Sequence, residues 1–262
     1  MRVGFLQFQP RHQDVGANLA HIERLLARVE ADLLVLPELC TSGYMFRDRA
    51  ELGRFAELVP AGPSCRAIGR ICRERSVNVV FGMAESLGEH IFNSAVLATA
   101  SGDFHVYHKA HLFLDEKDIF DPGDMPFPVF EVAGVKLGML VCFDHYFPEA
   151  ARSLALAGAQ IVCQPSNLVL DSAQKTTVAR AIENRVYWIL ANRIGSETRH
   201  GKTLHFTGHS QIVGPTGSLL ARAGEETEEL QVVEIDPAAA LDKHATPKND
   251  LFADRRVDLY RL

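Results

Sequence analysis

The chain has 262 residues, of which 47% are hydrophobic and 23% charged, with a net charge of −6. That is long enough for a sizeable core and ordinary for a globular protein. The acidic balance and the lack of a basic run argue against nucleic acid or a membrane surface as partner. No stretch reaches the ~20 apolar residues of a membrane span. The first ten residues lack the apolar segment of a signal peptide. Five cysteines, Cys40, Cys65, Cys72, Cys142 and Cys163, are few, odd in number and scattered. They do not form a disulfide framework, and a reducing cytoplasm is expected.

Residues 2–8 alternate as a first strand, and residues 18–30 carry Leu19, Ile22, Leu25, Leu26 and Val29 at helical spacing. Residues 33–36 are wholly apolar, as in a strand covered on both faces. A helix is expected over 64–75, a strand over 77–82, and a hairpin over 92–99 and 104–108 that turns at Ser101-Gly-Asp103. Further strands are expected over 136–142, 160–163 and 188–191, with helices over 148–157, closed by Gly158, and 172–185. Residues 208–213 and 218–222 flank a turn at Gly214-Pro-Thr-Gly217, and 230–235 form a last strand. Helices and strands alternate, so the class is α/β. With no repeat and no linker, 1–262 reads as one domain, its residues from Pro237 to the end a charged tail without periodicity.

Three ionisable residues stand where ligand sites of α/β proteins cluster. Glu38 follows Leu33-Leu-Val-Leu-Pro37 at the end of a buried strand, where a carboxyl is costly and its pKa tends to rise. Taken alone it reads better as a cap or a surface ion pair. Cys142 ends Leu137-Gly-Met-Leu-Val141 and precedes the helix start Phe147-Pro-Glu149. A strand, a sharp turn and a helix can expose a nucleophile, although most free cysteines are small core residues. Lys109, in Tyr107-His-Lys-Ala-His111, could clamp developing negative charge, although most lysines are solvated. Together a thiol, a carboxylate and an ammonium suit acyl transfer to cysteine.

The segments Leu36-Pro-Glu-Leu39, Tyr107-His-Lys-Ala-His111 and Val141-Cys-Phe-Asp144, in that order, resemble the nitrilase superfamily of carbon–nitrogen hydrolases. Glu116-Lys-Asp-Ile-Phe-Asp-Pro-Gly-Asp124 resembles the family's stretch with an accessory glutamate. Phe147-Pro-Glu-Ala150, Arg180-Ala-Ile-Glu-Asn184, Gly208-His-Ser-Gln-Ile212 and Pro215-Thr-Gly217 extend the likeness, and Asn249-Asp-Leu-Phe252 with Asp254-Arg-Arg256 resembles the tail of archaeal-type members. The resemblance implies a four-layer α-β-β-α sandwich, a homodimer paired through its outer helices, and hydrolysis without metal or organic cofactor. It implies Cys142 as nucleophile, Glu38 as general base, Lys109 and the Phe143 N–H as oxyanion donors, and Glu116 as the group that orients Lys109. Tyr44, Phe143 and Asn167 are expected walls of the substrate pocket.

Two departures bear on the substrate. Phe143-Asp144 stands where many nitrile-cleaving members carry Trp-Glu, which resembles the amidase and carbamoyl-amide branches. Tyr146 stands where carbamoyl-amino-acid hydrolases carry an arginine for the substrate carboxylate, which favours a neutral amide. The expected partner is a small amide, with a nitrile or an N-carbamoyl amide as alternatives. Three rivals remain on residues alone. A metal on His105, His108 and His111 is disfavoured, because strand residues three apart face opposite ways. A Cys–His pair with His145 is too local. A silent binding protein would have no need of all four charged and nucleophilic groups.

Overall fold

Four parallel crossovers organise the chain, each a strand, a helix and a return strand. The protein is described here by a computed structural model covering residues 1–261. Leu262, the last residue of the expected tail, lies outside the described residues. The first part runs β1 (Arg2–Gln7), α1 (Val15–Leu26), β2 (Leu33–Val35), α2 (Arg49–Leu52), α3 (Pro63–Arg75), β3 (Asn78–Leu87), β4 (His90–Ala98), β5 (Phe104–His108) and α4 (Glu116–Ile119). The second runs β6 (Val129–Val132), β7 (Val135–Met139), α5 (Pro148–Leu156), β8 (Ile161–Ser166), α6 (Ala173–Asn184) and β9 (Tyr187–Asn192). It continues through β10 (Ser196–Arg199), β11 (Lys202–His205), β12 (Gln211–Val213), β13 (Leu219–Arg222), β14 (Glu229–Glu234), β15 (His244–Thr246) and β16 (Asn249–Asp250).

Two six-stranded sheets result, ordered β14-β1-β2-β3-β4-β5 and β13-β12-β9-β8-β7-β6. The β1–β2–β3 and β7–β8–β9 pairs are parallel, which requires the crossover helices between them. Alternation along the first sheet assigns its faces. Val3, Phe5, Leu33, Val35, Val80, Ala95 and Leu97 pack with β7, β8 and β9 of the second sheet. Their neighbours Leu6, Leu34, Leu36, Val79, Phe81 and Val96 pack with Ile22 and Leu26 of α1 and Ile68 and Cys72 of α3. Ala150, Leu154 and Ala155 of α5 and Ala173 and Ala181 of α6 cover the second sheet. The fold is thus the expected α-β-β-α sandwich.

Several boundaries differ from the sequence expectation. Helix α1 begins at Val15, because the Asp14 side chain caps it by accepting the Ala17 N–H at 3.0 Å, and it stops at Leu26. Strand β7 ends at Met139, short of Cys142, and β3 runs on to Leu87 against the full length of β4. The short strands β6, β10 and β11 and the one-turn helices α2 and α4 were not expected. The residues after Ile235 hold two 3-10 turns and the β15–β16 ladder, with Leu241, Val257, Leu259 and Tyr260 exposed.

Candidate active site

Past β2 the chain stays extended and is gripped by β3: Leu36 N–H donates to Val80 O at 2.8 Å and Gly82 N–H to Pro37 O at 3.1 Å. Glycine is required at 82, since a Cβ there would lie 2.4 Å from Glu38 Cα. Leu39 then turns at φ +47° and leaves Glu38 at the end of the strand, with no exposure to solvent. Glu38 Oε1 accepts from Lys109 Nζ at 2.8 Å and from Asn93 Nδ2 at 2.7 Å. Oε2 has no hydrogen-bond partner among the described residues.

Lys109 is the first residue past β5. Its N–H donates to Asn93 O and its carbonyl accepts from Gly123 N–H, both at 2.9 Å. Its ammonium reaches Glu38 Oε1 at 2.8 Å and Glu116 Oε2 at 2.7 Å. Glu116, at the start of α4, also accepts from Tyr44 Oη at 2.7 Å and from Phe113 N–H at 3.0 Å. The ammonium thus meets two buried carboxylates, the pairing a buried charge requires. Asn93 holds the acid by its side chain and the lysine by its backbone.

Cys142 opens a 3-10 turn, Cys142–Tyr146, at φ +45°, a left-handed conformation uncommon for a residue with a side chain. Asp144 fixes the turn. Its fully buried carboxylate accepts from Val141 N–H at 2.9 Å, Tyr107 Oη at 2.8 Å and His111 N–H at 3.1 Å. Gln164 Nε2 donates to Cys142 O at 3.0 Å and is itself held by Trp188 Nε1 at 2.7 Å. The Phe143 N–H has no acceptor among the described residues. Sequence reasoning missed Asn93, Gln164 and Trp188; the one available signal was a polar pair, Asn93-Ser94, inside an apolar strand.

The charges set the protonation states. Burial pushes the Cys142 thiol well above its ordinary value, Glu38 adds to the rise, and Lys109 opposes it. Glu38 is likewise raised by burial against the pull of Lys109. Burial would lower Lys109, but the Glu116 and Glu38 carboxylates outweigh it and keep the ammonium charged. The resting arrangement is therefore a neutral thiol beside two acids and one ammonium. Burial, aided by Arg180, lowers His145 to about 4, and its Nδ1 is engaged by Thr176 Oγ1 at 2.7 Å. It is a poor proton acceptor for Cys142 at neutral pH.

Glu38, Lys109 and Glu116 are joined by direct contacts and lie near enough to Cys142 for their charges to act on its thiol. Phe143 and Asn167 line a cavity of about 20 Å³ at Cys142, together with Phe113, Tyr146 and Leu168. Tyr44 does not line it. It lines a cleft of about 420 Å³ together with Glu116, Phe46, Leu114 and Arg199. Its hydroxyl donates to Glu116 at 2.7 Å. His105 stacks on Phe130, His108 lies between Glu85 and Asp124, and His111 meets Asp144, so each takes a different partner.

The family model described as carbon-nitrogen hydrolase matches residues 2–242. A protein named nitrilase from Pyrococcus abyssi is 38% identical, covering 99% of both chains. The N-carbamoylputrescine amidase of Solanum lycopersicum is 33% identical over 95% of this chain and 90% of its own. Among solved structures, the amidase from Nesterenkonia AN1, of the nitrilase superfamily, superposes with a TM-score of 0.81 at 31% identity, covering 99% of this chain and 95% of that one. That amidase was also solved in complex with acrylamide. With its sandwich and its buried glutamate, lysine and cysteine, the chain belongs to the carbon–nitrogen hydrolase family of the nitrilase superfamily.

Proposed function

We propose that this hydrolase converts small carboxamides to carboxylate and ammonia through a thioester on Cys142. The observation that carries the assignment is the closed Glu38–Lys109–Glu116 cluster set against a buried neutral thiol. Sγ attacks the amide carbon as Glu38 Oε2, the one oxygen of that carboxylate left without a partner, takes the thiol proton. The Lys109 ammonium and the unused Phe143 N–H meet the oxyanion. Glu38 returns the proton to the leaving nitrogen as the C–N bond breaks, and ammonia departs. It then deprotonates a water that cleaves the thioester and releases the acid and the thiol. Its burial-raised pKa suits both directions of transfer. Glu116 holds the ammonium in place throughout.

An amide is favoured over a nitrile by Asn167. It is 3% exposed in the wall of the Cys142 cavity, and both polar atoms of its side chain lack partners among the described residues. An unmet buried amide is costly, and a primary carboxamide offers it both a donor and an acceptor. The apolar Phe113, Phe143 and Leu168 beside Cys142 suit a short aliphatic acyl group, and the Nesterenkonia relative was solved with acrylamide. The five unpaired thiols fit a reducing cytoplasm. Exposed Leu156 on α5 and Ile182 on α6 fit pairing of two copies through the outer helices. The test is ammonia release from acetamide, propionamide and butyramide beside the matching nitriles and N-carbamoylputrescine. Turnover of the amides, abolished by Cys142→Ala, is expected. Turnover of nitriles alone would overturn the amide assignment.

A further inference from the structure

A second buried ion pair lies behind the cluster. Arg193 is fully buried and Glu197, on β10, is 6% exposed, with Nη1 and Oε1 2.5 Å apart. Such a pair is weak evidence for stability, since well-packed apolar residues often serve as well. The Glu197 carboxylate does something apolar residues cannot. It accepts from two consecutive backbone N–H groups, Tyr44 at 3.2 Å and Met45 at 2.8 Å. Those residues sit in the irregular stretch between β2 and α2, which has no ladder of its own to hold it. The preceding Gly43 turns at φ +84°, and a Cβ there would come 2.8 Å from His12 Nδ1 and 3.2 Å from Glu197 Oε1.

Tyr44 is thereby pinned at three points. Glu197 holds its backbone. Phe206 meets its ring edge-on with centroids 6.0 Å apart, and is itself covered by the Arg193 guanidinium at 4.0 Å. Glu116 accepts its hydroxyl at 2.7 Å, on the same oxygen that lies 2.8 Å from Lys109 Nζ. The rotation of the Glu116 carboxylate, and so the place of the ammonium, depends on where that hydroxyl sits.

We propose that Glu197, with its buried partner Arg193, is a positioning residue of the active site, acting through Tyr44 on Glu116 and Lys109. Its role rests on the function proposed above. Misplacing a reacting group by an ångström can cost ~10²-fold in rate, so a device that fixes Tyr44 acts on turnover without touching substrate.

The test is a double-mutant cycle of Glu197→Gln and Tyr44→Phe in the full chain, assayed on propionamide, with kcat expressed per Cys142 thiol titrated by iodoacetamide. Each single change is expected to lower kcat about tenfold with KM nearly unchanged, and the double to be no worse than the poorer single, because both act along one path. Effects that multiply to about 100-fold, or a Glu197→Gln protein that loses melting temperature but keeps kcat, would overturn the proposal. If Glu197→Gln alone fails to fold, the charge-neutral pair Glu197→Gln with Arg193→Met takes its place in the cycle under the same criterion. The rate of Cys142 alkylation by iodoacetamide is read in parallel and needs no amide turnover. Non-additive alkylation rates in a protein that hydrolyses no amide would sink the amidase assignment and keep Glu197 as a positioning residue. Additive rates in an active amidase would do the reverse.

Discussion

Replacing Lys109 by methionine keeps a linear side chain and deletes the ammonium that two buried acids share. Its Nζ lies 2.8 Å from Glu38 Oε1 and 2.7 Å from Glu116 Oε2, with all three side chains at most 3% exposed. At an effective dielectric of ~20 each lost contact is worth ~6 kcal/mol, more than it costs a carboxyl to hold on to a proton. At pH 7, about 2.5 pH units above the ordinary 4.5 of Glu38, that proton costs about 3 kcal/mol. The variant is therefore expected to fold with about 3 kcal/mol less stability and one extra bound proton. The folded carboxyl then titrates above the unfolded one. Its contribution is intact below about pH 4.5 and drains as pH rises, at ~1.4 kcal/mol per pH unit. Urea titrations of parent and variant at about pH 5.5 and 7.5 should show the larger loss at the higher pH, by up to roughly 3 kcal/mol. Amide turnover should fall at least ~10²–10³-fold with the oxyanion donor gone. A stability difference that does not change with pH, or a kcat within tenfold of the parent, would refute the shared-ammonium account.

Glu38→Gln should keep the Lys109 and Asn93 hydrogen bonds while lowering kcat ~10²–10⁴-fold, checked by ammonia release. His145 is held neutral, with its pKa lowered from 6.5 to about 4, so the stability it confers is present above 6.5 and lost as pH falls toward 4. His145→Gln should flatten the acid limb of the stability curve over that window, by at most ~3 kcal/mol. Asn167→Leu should reduce kcat/KM for propionamide more than for the matching ester, which lacks the donor N–H, by about tenfold. Equal losses on both would remove Asn167 from amide recognition.

Much of this was legible in the sequence for a simple reason. Residues 33–36 and 137–141 are apolar throughout because the strands there are covered on both faces, and such runs stand out in any chain. The β10–β11 hairpin did not stand out, because Glu197, Thr198, Arg199, Lys202 and Thr203 offer no apolar alternation. Its order comes from Thr198–Thr203 pairing and from the Arg193–Glu197 pair. Cys142 was expected on a strand because Leu140-Val141 prolongs the apolar run. The backbone turns there because the Asp144 carboxylate captures the Val141 N–H, a contact that hydrophobic pattern does not express. Glu38, Lys109, Glu116 and Cys142 were legible through spaced motifs. Asn93 and Glu197 were not, since their partners lie 55 and 152–153 positions away and nothing local marks them.

Glu38 and Lys109 ride on the first sheet, whereas Cys142 follows a strand of the second. Between the two sheets the packing is largely apolar, with Val35, Val80 and Leu97 set against Met139 and Ile161. A slip of one layer past the other by an ångström would spare every ladder bond yet part the thiol from its acid. Hydrolysis should consequently fade at urea concentrations that leave the circular dichroism untouched, which makes turnover a strain gauge for the seam between layers.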